Sequence, residues 1–269
     1  MRHVLGLIII LLFIIGFSLV LTVAGNYILP SHKIRSLAKY YLYRAYNPWH
    51  RNFTVMSPEA VTSIVWDFRG LDTVFETTVF YLAIIGSIAL GRGIVKYTKP
   101  EGELGLSLIV KTVTRISAVM IIAVAASIAL HGHLTPGGGF QGGATAAVAP
   151  LLILVIFSHY YLLEKGVTKD LMMLLRSLGL TGIGIIAIIV YLVALPQGMH
   201  AYVLQNQPKP DSSIGLPAYI DGQLISGSLW FFNIFEFLAV MAGFTIVFLL
   251  ITIPERAFKK KGEKEGGKQ

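Results

Sequence analysis

The sequence predicts an all-α, polytopic membrane protein with six transmembrane helices. Of its 269 residues, 55% are apolar and only 13% are charged, and the apolar residues come in runs of about 20, the length that crosses about 30 Å of hydrocarbon. This composition excludes a soluble enzyme and a nucleic-acid-binding module, despite the net charge of +8. Because the chain has no cysteine, it cannot form a disulfide or a thiolate metal site, and we expect no cofactor.

Six segments have the length and hydropathy of a span: Val4–Ala24, Leu71–Gly91, Leu108–Leu130, Gln141–Leu163, Met172–Leu195 and Ser228–Ile253. The first could be a signal peptide, but its apolar stretch is longer than the apolar core of a signal peptide, which usually has roughly 7–15 residues. We interpret it as a retained anchor. With the amino terminus in the cytoplasm, roughly two thirds of the 22 lysines and arginines fall on the cytoplasmic side. The prediction is a multi-pass protein of the cell membrane with both termini cytoplasmic.

The segment between the first two spans predicts a helix that lies in the membrane surface. Residues Ser31–Tyr46 combine apolar positions at helical spacing with basic side chains and several tyrosines, a composition that favours the membrane–water boundary. Lipid contact is the simplest role for it. Ser57 and Pro58 then predict a helix start, with Ser57 as the N-cap.

Glycine, proline and charge become frequent over Gly91–Gly105, which we interpret as the boundary between two modules, residues 1–95 and 96–269. The basic carboxyl-terminal tail, Lys259–Gln269, is charged and glycine-rich, which favours a disordered, solvated segment.

Three carboxylates lie within predicted spans, where a charge costs about 2.5–3.5 kcal/mol on insertion scales. Asp72 and Glu76 are four residues apart and share a helix face, and Glu236 lies about 12 Å into the last span. Glu76, Asp72 and Glu236 are candidates for ion translocation. For Asp72 the alternative is a structural role, with the helix dipole and an ion pair with Arg69 stabilising it, and for Glu236 the alternative is pairing to a neighbouring subunit.

Basic residues form a separate layer at the predicted inner side, where Lys111 and Arg115 are four residues apart and Arg176 lies at a similar depth. Long basic side chains reach the membrane surface at little cost. We therefore expect Lys111 and Arg115 to contact the inner surface or lipid phosphates, out of reach of the outer carboxylates.

The segment His131–Gly143 joins the third and fourth spans with six glycines and no lysine or arginine. Pro136 ends the helix. The three glycines Gly137, Gly138 and Gly139 that follow leave their backbone amide and carbonyl groups available to bind other groups. Two interpretations stay open: broken backbone that lines a cavity, or a turn made compact for packing. The later glycines begin a small-xxx-small pattern that lets another helix approach closely.

His131 and His133 could relay protons in this segment, because histidine titrates near neutral pH. Two histidines without a third ligand are poor grounds for a metal site, and we predict none. The sequence contains no GxSxG, Walker or HExxH motif, so hydrolase chemistry and nucleotide-driven pumping have no place in it.

Two motifs resemble subunits of multisubunit Na⁺/H⁺ antiporters. The run from Leu130 to Gly143, LHGHLTPGGGFQGG, resembles the signature loop of the MrpB/MnhB subunits, and the last four spans fit that family along their length. The run from Trp66 to Glu76, WDFRGLDTVFE, resembles the DFRGxDTxxE segment near the carboxyl end of the large MrpA subunit. In archaeal membrane-bound hydrogenases this segment is a separate small subunit.

The chain therefore resembles two antiporter-module subunits fused into one. Similar subunits occur in membrane-bound hydrogenase, formate hydrogenlyase and sulfane sulfur reductase complexes of archaea, and we favour the last. The resemblance implies Na⁺ or H⁺ translocation coupled to redox chemistry in partner subunits, with an Mrp-like module and a hydrogenase or reductase module as partners. It implies no enzyme activity for the chain alone. Of the acids, it favours Glu76 on the ion path; Asp72 and Arg69 share that motif, whereas Glu236 matches none.

Two functions remain open on the sequence alone. In the first, the carboxylates line part of a cation path shared with neighbouring subunits, since carboxylate and carbonyl oxygens suit hard cations. In the second, the chain is a scaffold that packs and seals the module while ions move elsewhere. A stand-alone channel ranks third, because scattered acids form no ring or filter.

Overall fold

The computed structural model describes residues 2–28, 33–91 and 106–252. Positions 92–105 of the predicted module boundary and the whole basic tail lie outside the described residues, so the division at residue 95 stays a prediction. The chain forms two compact units, residues 1–40 and 41–269, which we describe separately.

The six predicted spans are confirmed as helices long and apolar enough to cross a membrane. Their apolar stretches are Gly6–Gly25, Gly70–Leu90, Leu108–Leu130, Gly139–Ile156, Lys169–Gln197 and Ser228–Ile251. Almost all of the regular structure described is helical, so the predicted all-α class is confirmed.

The first unit consists of one long helix and the start of a second. Helix α1, Arg2–Ile28, is apolar on every side, and its side chains from Leu7 to Val23 are largely exposed. Helix α2, Ser36–Ala45, forms within the predicted surface segment. Its position at a membrane surface stays a prediction.

The second unit is built around helix α9, Ser228–Ile251. It packs against helices α4, Gly70–Leu90, α5, Leu108–Leu130, α6, Gly139–Ile156, and α8, Lys169–Ala194. Glycines allow these helices to approach closely: a Cβ atom on Gly143 would lie 2.8 Å from the Phe237 carbonyl oxygen, and one on Gly179 would lie 2.5 Å from that of Phe235. The small-xxx-small pattern of α6 therefore serves two neighbours, since Gly143 faces α9 while a Cβ atom on Gly142 would lie 2.8 Å from the Ala125 carbonyl oxygen of α5.

The predicted fourth span, Gln141–Leu163, is wrong at its carboxyl end. Helix α6 ends at Ile156, and a separate short helix, α7, covers His159–Glu164. Between them Ser158 has a φ of 140° and its hydroxyl accepts a hydrogen bond from the Tyr161 backbone N–H at 3.4 Å. A serine at this position starts a new helix instead of continuing the old one.

The predicted N-cap at Ser57 is also wrong. Helix α3, Ala60–Ser63, is capped by the Glu59 carboxylate, which accepts from the Thr62 backbone N–H, and it runs into a π-helical turn, Ile64–Phe68. The Ser57 hydroxyl instead donates to the His133 carbonyl oxygen at 2.6 Å. It therefore ties the segment before α4 to the glycine-rich turn.

A long polar connection joins α8 to α9. It begins with a single 3₁₀ turn, Leu195–Gln197, and contains a small antiparallel hairpin of β1, Tyr219–Ile220, and β2, Gln223–Leu224. Within it, the buried Asn206 amide donates to the Val55 carbonyl oxygen at 3.0 Å and accepts from the Ser228 N–H at 2.9 Å. The connection thus holds the start of α9 in place.

Candidate ion site between the membrane helices

Glu236 lies inside the second unit, in the first half of α9, with only 6% of its surface exposed. The backbone N–H of Phe140, at the start of α6, donates a hydrogen bond to its carboxyl group. The Trp66 indole interacts with the same carboxyl, although its buried Nε1 lies outside standard hydrogen-bond geometry. The carboxyl is therefore enclosed by protein, with the Phe140 N–H bonded to it.

The glycine-rich turn makes this environment possible. A Cβ atom on Gly139 would lie 2.5 Å from the Asn233 carbonyl oxygen and 2.7 Å from Glu236 Oε2, and one on Gly132 would lie 2.6 Å from Gly138 backbone. Gly138 has a φ of 145°, a conformation that glycine adopts without a steric penalty. The turn is therefore compact, as one of the two interpretations held, and its close packing brings backbone N–H groups to Glu236.

Asn233 lies three residues before Glu236 and faces the same turn. Its side-chain oxygen accepts from the Gly139 N–H at 3.3 Å, while its buried Nδ2 has no hydrogen-bond partner. Buried polar groups almost always have partners, so an unpaired amide beside a carboxyl is unusual. The sequence analysis missed both Asn233 and Trp66; the signal for Asn233 was its spacing of three from Glu236, which places both on one helix face.

Glu76 reaches this site from α4. Its side chain is exposed on the surface of the chain, yet its charge interacts with that of Glu236. The two carboxylates that the sequence singled out therefore lie on two helices that pack together, Glu236 buried and Glu76 exposed.

Asp72 has a different role from Glu76 in the structure. Its Oδ2 lies 2.6 Å from Arg69 Nη2 and 2.7 Å from Arg69 Nε, and both side chains are at least half exposed. The predicted ion pair is thus present, and Arg69 binds the carboxylate of Asp72.

Each of the two histidines contacts a backbone carbonyl oxygen and not one of the carboxylates. His131 is exposed, with Nδ1 3.0 Å from the Ser127 carbonyl oxygen. His133 is 3% exposed, and its Nε2 lies 2.8 Å from the Leu224 carbonyl oxygen in strand β2. Burial lowers the pKa of His133, because the protonated ring is poorly solvated there.

We expect the contact of His133 with the hairpin to weaken in acid. Above about pH 6.5 the histidine is neutral in both the folded and the unfolded chain. As the pH falls from there through the lowered pKa of His133, the unfolded chain binds the proton first, so stability is lost. Hydrogen exchange of the hairpin amides at pH 7.5 and pH 5.5 measures this loss.

All exchange rates are divided into the intrinsic rate at the same pH to give protection factors. His133→Asn is the control for this experiment, since the protection factors of its hairpin amides should be equal at both pH values. Burial raises the pKa of Asp67, which lies outside the spans, even though Lys209 Nζ is 3.8 Å from its carboxylate. A raised carboxyl pKa makes stability fall as the pH rises, the opposite sign. If acid protects the hairpin in the native chain, the structural role of His133 is wrong.

The basic residues at the other end of the helices differ in burial. Arg115 is exposed, and its Cζ lies 5.4 Å from the centre of the Phe157 ring; Lys111 is half-buried. Arg176 is completely buried. Among the residues described, no three His, Asp or Glu side chains come together as metal ligands.

Comparison with known proteins identifies the family of this chain. The model of a domain related to the MnhB subunit of Na⁺/H⁺ antiporters matches residues 109–246, just over half of the sequence. The chain belongs to the MnhB family. The resemblance of its glycine-rich turn to that family is therefore confirmed, and the matched region includes α5, α6, α8, most of α9 and Glu236.

The MnhB-family chain is similar to a curated protein and to chains of solved complexes. Uncharacterized protein MJ1307 of Methanocaldococcus jannaschii is 28% identical over 229 residues, which cover 77% of this chain and 82% of that protein. A chain of the archaeal membrane-bound sulfane sulfur reductase, a respiratory membrane complex, matches with a TM-score of 0.56 and 26% identity, covering 91% of this chain and 95% of that one.

A chain of the Mrp complex from Dietzia sp. DQ12-45-1b shares the fold at a TM-score of 0.54 and 17% identity. The match covers 91% of the MnhB-family chain but only 26% of the Dietzia chain. The fold described here thus recurs in both solved complexes.

Proposed function

We propose that this chain is a membrane subunit of an Mrp-like antiporter module in a respiratory complex, and that Glu76 and Glu236 form part of a Na⁺ or H⁺ path. In this proposal the chain carries out no redox chemistry; a reductase or hydrogenase module in partner subunits drives the ions. It lies in the cell membrane with both termini in the cytoplasm. The similarity to the sulfane sulfur reductase chain supports this assignment.

The observation that carries the proposal is the buried carboxyl of Glu236, enclosed between helices, with Glu76 on α4, a helix that packs against α9. A proton or a Na⁺ ion bound near two carboxylates offsets the repulsion between them. Carboxylate oxygens suit such a cation. Glu76 is exposed and Glu236 is buried, so the pair links the surface of the chain with its interior.

The other candidates are less directly placed for this role. Asp72 is paired with Arg69, and both histidines contact backbone carbonyl oxygens. Their participation in ion movement remains a prediction without a supporting contact to Glu236.

Ion flux in proteoliposomes that contain the whole purified complex tests the proposal. We expect Glu76→Gln and Glu236→Gln each to reduce redox-driven ion movement at least tenfold, about 1.4 kcal/mol or more, while the complex assembles normally. Glu164→Gln is the matched control, since Glu164 is exposed in α7, outside the spans. Separate recordings of ²²Na⁺ uptake and internal pH distinguish the two ions. Wild-type flux in both assembled variants would make the chain a scaffold.

A further inference from the structure

Arg176 is a completely buried arginine on α8, between α4 and α9. Its guanidinium lies over the Phe80 ring at 4.6 Å and near the Tyr81 ring at 5.4 Å, and Nη1 donates to the Ala239 carbonyl oxygen at 3.0 Å. Its Nε and Nη2 have no hydrogen-bond partner. Within the described part of the chain, no carboxylate forms an ion pair with it.

A buried arginine of this kind lowers the stability of the folded chain. The guanidinium stays protonated in proteins, and a buried charge without a counter-ion costs several kcal/mol. Cation–π contacts with two rings recover only part of that cost. If the position served packing alone, an uncharged side chain of similar length would fill it more favourably. The charge itself therefore calls for an explanation.

The level at which the charge of Arg176 meets α9 explains why it is kept. Arg176 contacts α9 at Ala239 and lies against Gly243, which follows Glu236 by seven residues, or about 10 Å at 1.5 Å per residue. The polar groups of Asn233 and Glu236 lie on the Ser228 side of this level. On the far side an apolar cluster contains Ile84, Met172 and Ile246, and the buried hydroxyl of Thr245 donates to the carbonyl oxygen of Met241 in its own helix. Arg176 thus stands at the change from a polar to an apolar interior.

We propose that Arg176 is a fixed positive charge that ends the cation path of this chain. Cations that reach Glu236 are repelled from the inner half of α9 and can leave only sideways, through Glu76 and whatever subunit covers it. The inference rests on the proposed function. At about 10 Å and an effective dielectric constant of about 20, repulsion between two unit charges lowers the occupancy beyond Glu236 roughly tenfold.

Passive ion leak is the measurement that tests this role. Proteoliposomes with the whole complex, but without redox substrate, receive an imposed membrane potential, and ²²Na⁺ uptake and internal pH are recorded. We expect Arg176→Gln to raise the leak of one of these ions roughly tenfold, because the amide can still donate to Ala239 but carries no charge. Arg176→Lys, which keeps the charge, should stay as tight as the wild type.

The double variant Arg176→Gln with Glu236→Gln identifies the route of the leak. If the leak runs along the proposed path, the second substitution removes it; a leak that persists would follow another route and overturn the proposal. Wild-type tightness of the assembled Arg176→Gln complex would also overturn it. If the glutamine variant does not assemble, Arg176→Met replaces it, and failure of both neutral variants beside an assembled Arg176→Lys complex would assign the charge to folding alone.

These results are separable from those that test the proposed function. Redox-driven flux in the single variants Glu76→Gln and Glu236→Gln decides whether ions pass the carboxylates at all. If that flux is lost while Arg176→Gln remains tight, the ion path stands and only the role of Arg176 fails.

Discussion

Replacing Trp66 by alanine should destabilise the folded chain by about 3–5 kcal/mol, the usual cost of removing a large buried aromatic side chain. Trp66 is 1% exposed, and its ring stacks on that of Phe232 with 4.4 Å between centres and 6° between planes. It belongs to a buried cluster with Val55, Ile183 and Leu229, so the cavity would open between α8, α9 and the segment before α4. Thermal inactivation of the purified complex measures the effect.

Trp66→Phe is the matched variant, because it retains a ring against Phe232 and removes only the indole N–H and part of the volume. We expect it to keep most of the thermal stability. If the interaction of the indole with Glu236 matters for ions, this variant alters driven flux while the complex remains intact. An alanine variant as heat-stable as the wild type would show that the stack contributes little.

Replacing Gly139 by alanine should cost about 1–3 kcal/mol or more, the range for inserting a methyl group into a closely packed site. The new Cβ would lie 2.5 Å from the Asn233 carbonyl oxygen and 2.6 Å from Glu236 Cβ. Neither neighbour is the end of a flexible side chain, so α6 and α9 must separate. We expect less assembled complex, a lower inactivation temperature and reduced ion flux together.

Gly184→Ala provides the control for this substitution. Gly184 is exposed within α8, and a Cβ atom there would meet no atom within 4 Å. Alanine in a helix interior is favoured over glycine by roughly 0.5–1 kcal/mol, so this variant should be as stable as the wild type or slightly more so. If the two alanine variants behave alike, the close approach of α6 and α9 does not limit stability.

The spans could be predicted from the sequence because an apolar run of sufficient length has few alternatives to a membrane helix. The end of α6 could not, since Phe157, Ser158 and the tyrosines that follow continue a mixed apolar pattern, and only the backbone turn at Ser158 shows the break. Ser57 similarly had a helix-capping composition but found a stronger partner in the distant His133 carbonyl. Local signals of this kind depend on contacts that sequence spacing does not reveal.

The charged residues of the candidate site could be predicted from the sequence, because placing a charge inside a membrane costs free energy. That cost drew attention to Glu76 and Glu236 individually, but their relative position depends on how α4 packs against α9. Asn233 escaped notice because its amide carries no charge that would be costly in a span, and Trp66 because it precedes the second span. Arg176 was placed in a layer of basic side chains near the surface, whereas packing beneath Phe80 buries it fully.

The exposure of Glu76 on the outside of α4 has a consequence for a chain that has been inserted but not yet assembled. Until a neighbouring subunit covers that face, the chain presents a carboxylate to hydrocarbon, at a cost of about 2.5–3.5 kcal/mol on insertion scales. The surface that carries Glu76 is therefore more stable when a protein covers it than when lipid does, so this face of α4 favours assembly over the isolated chain.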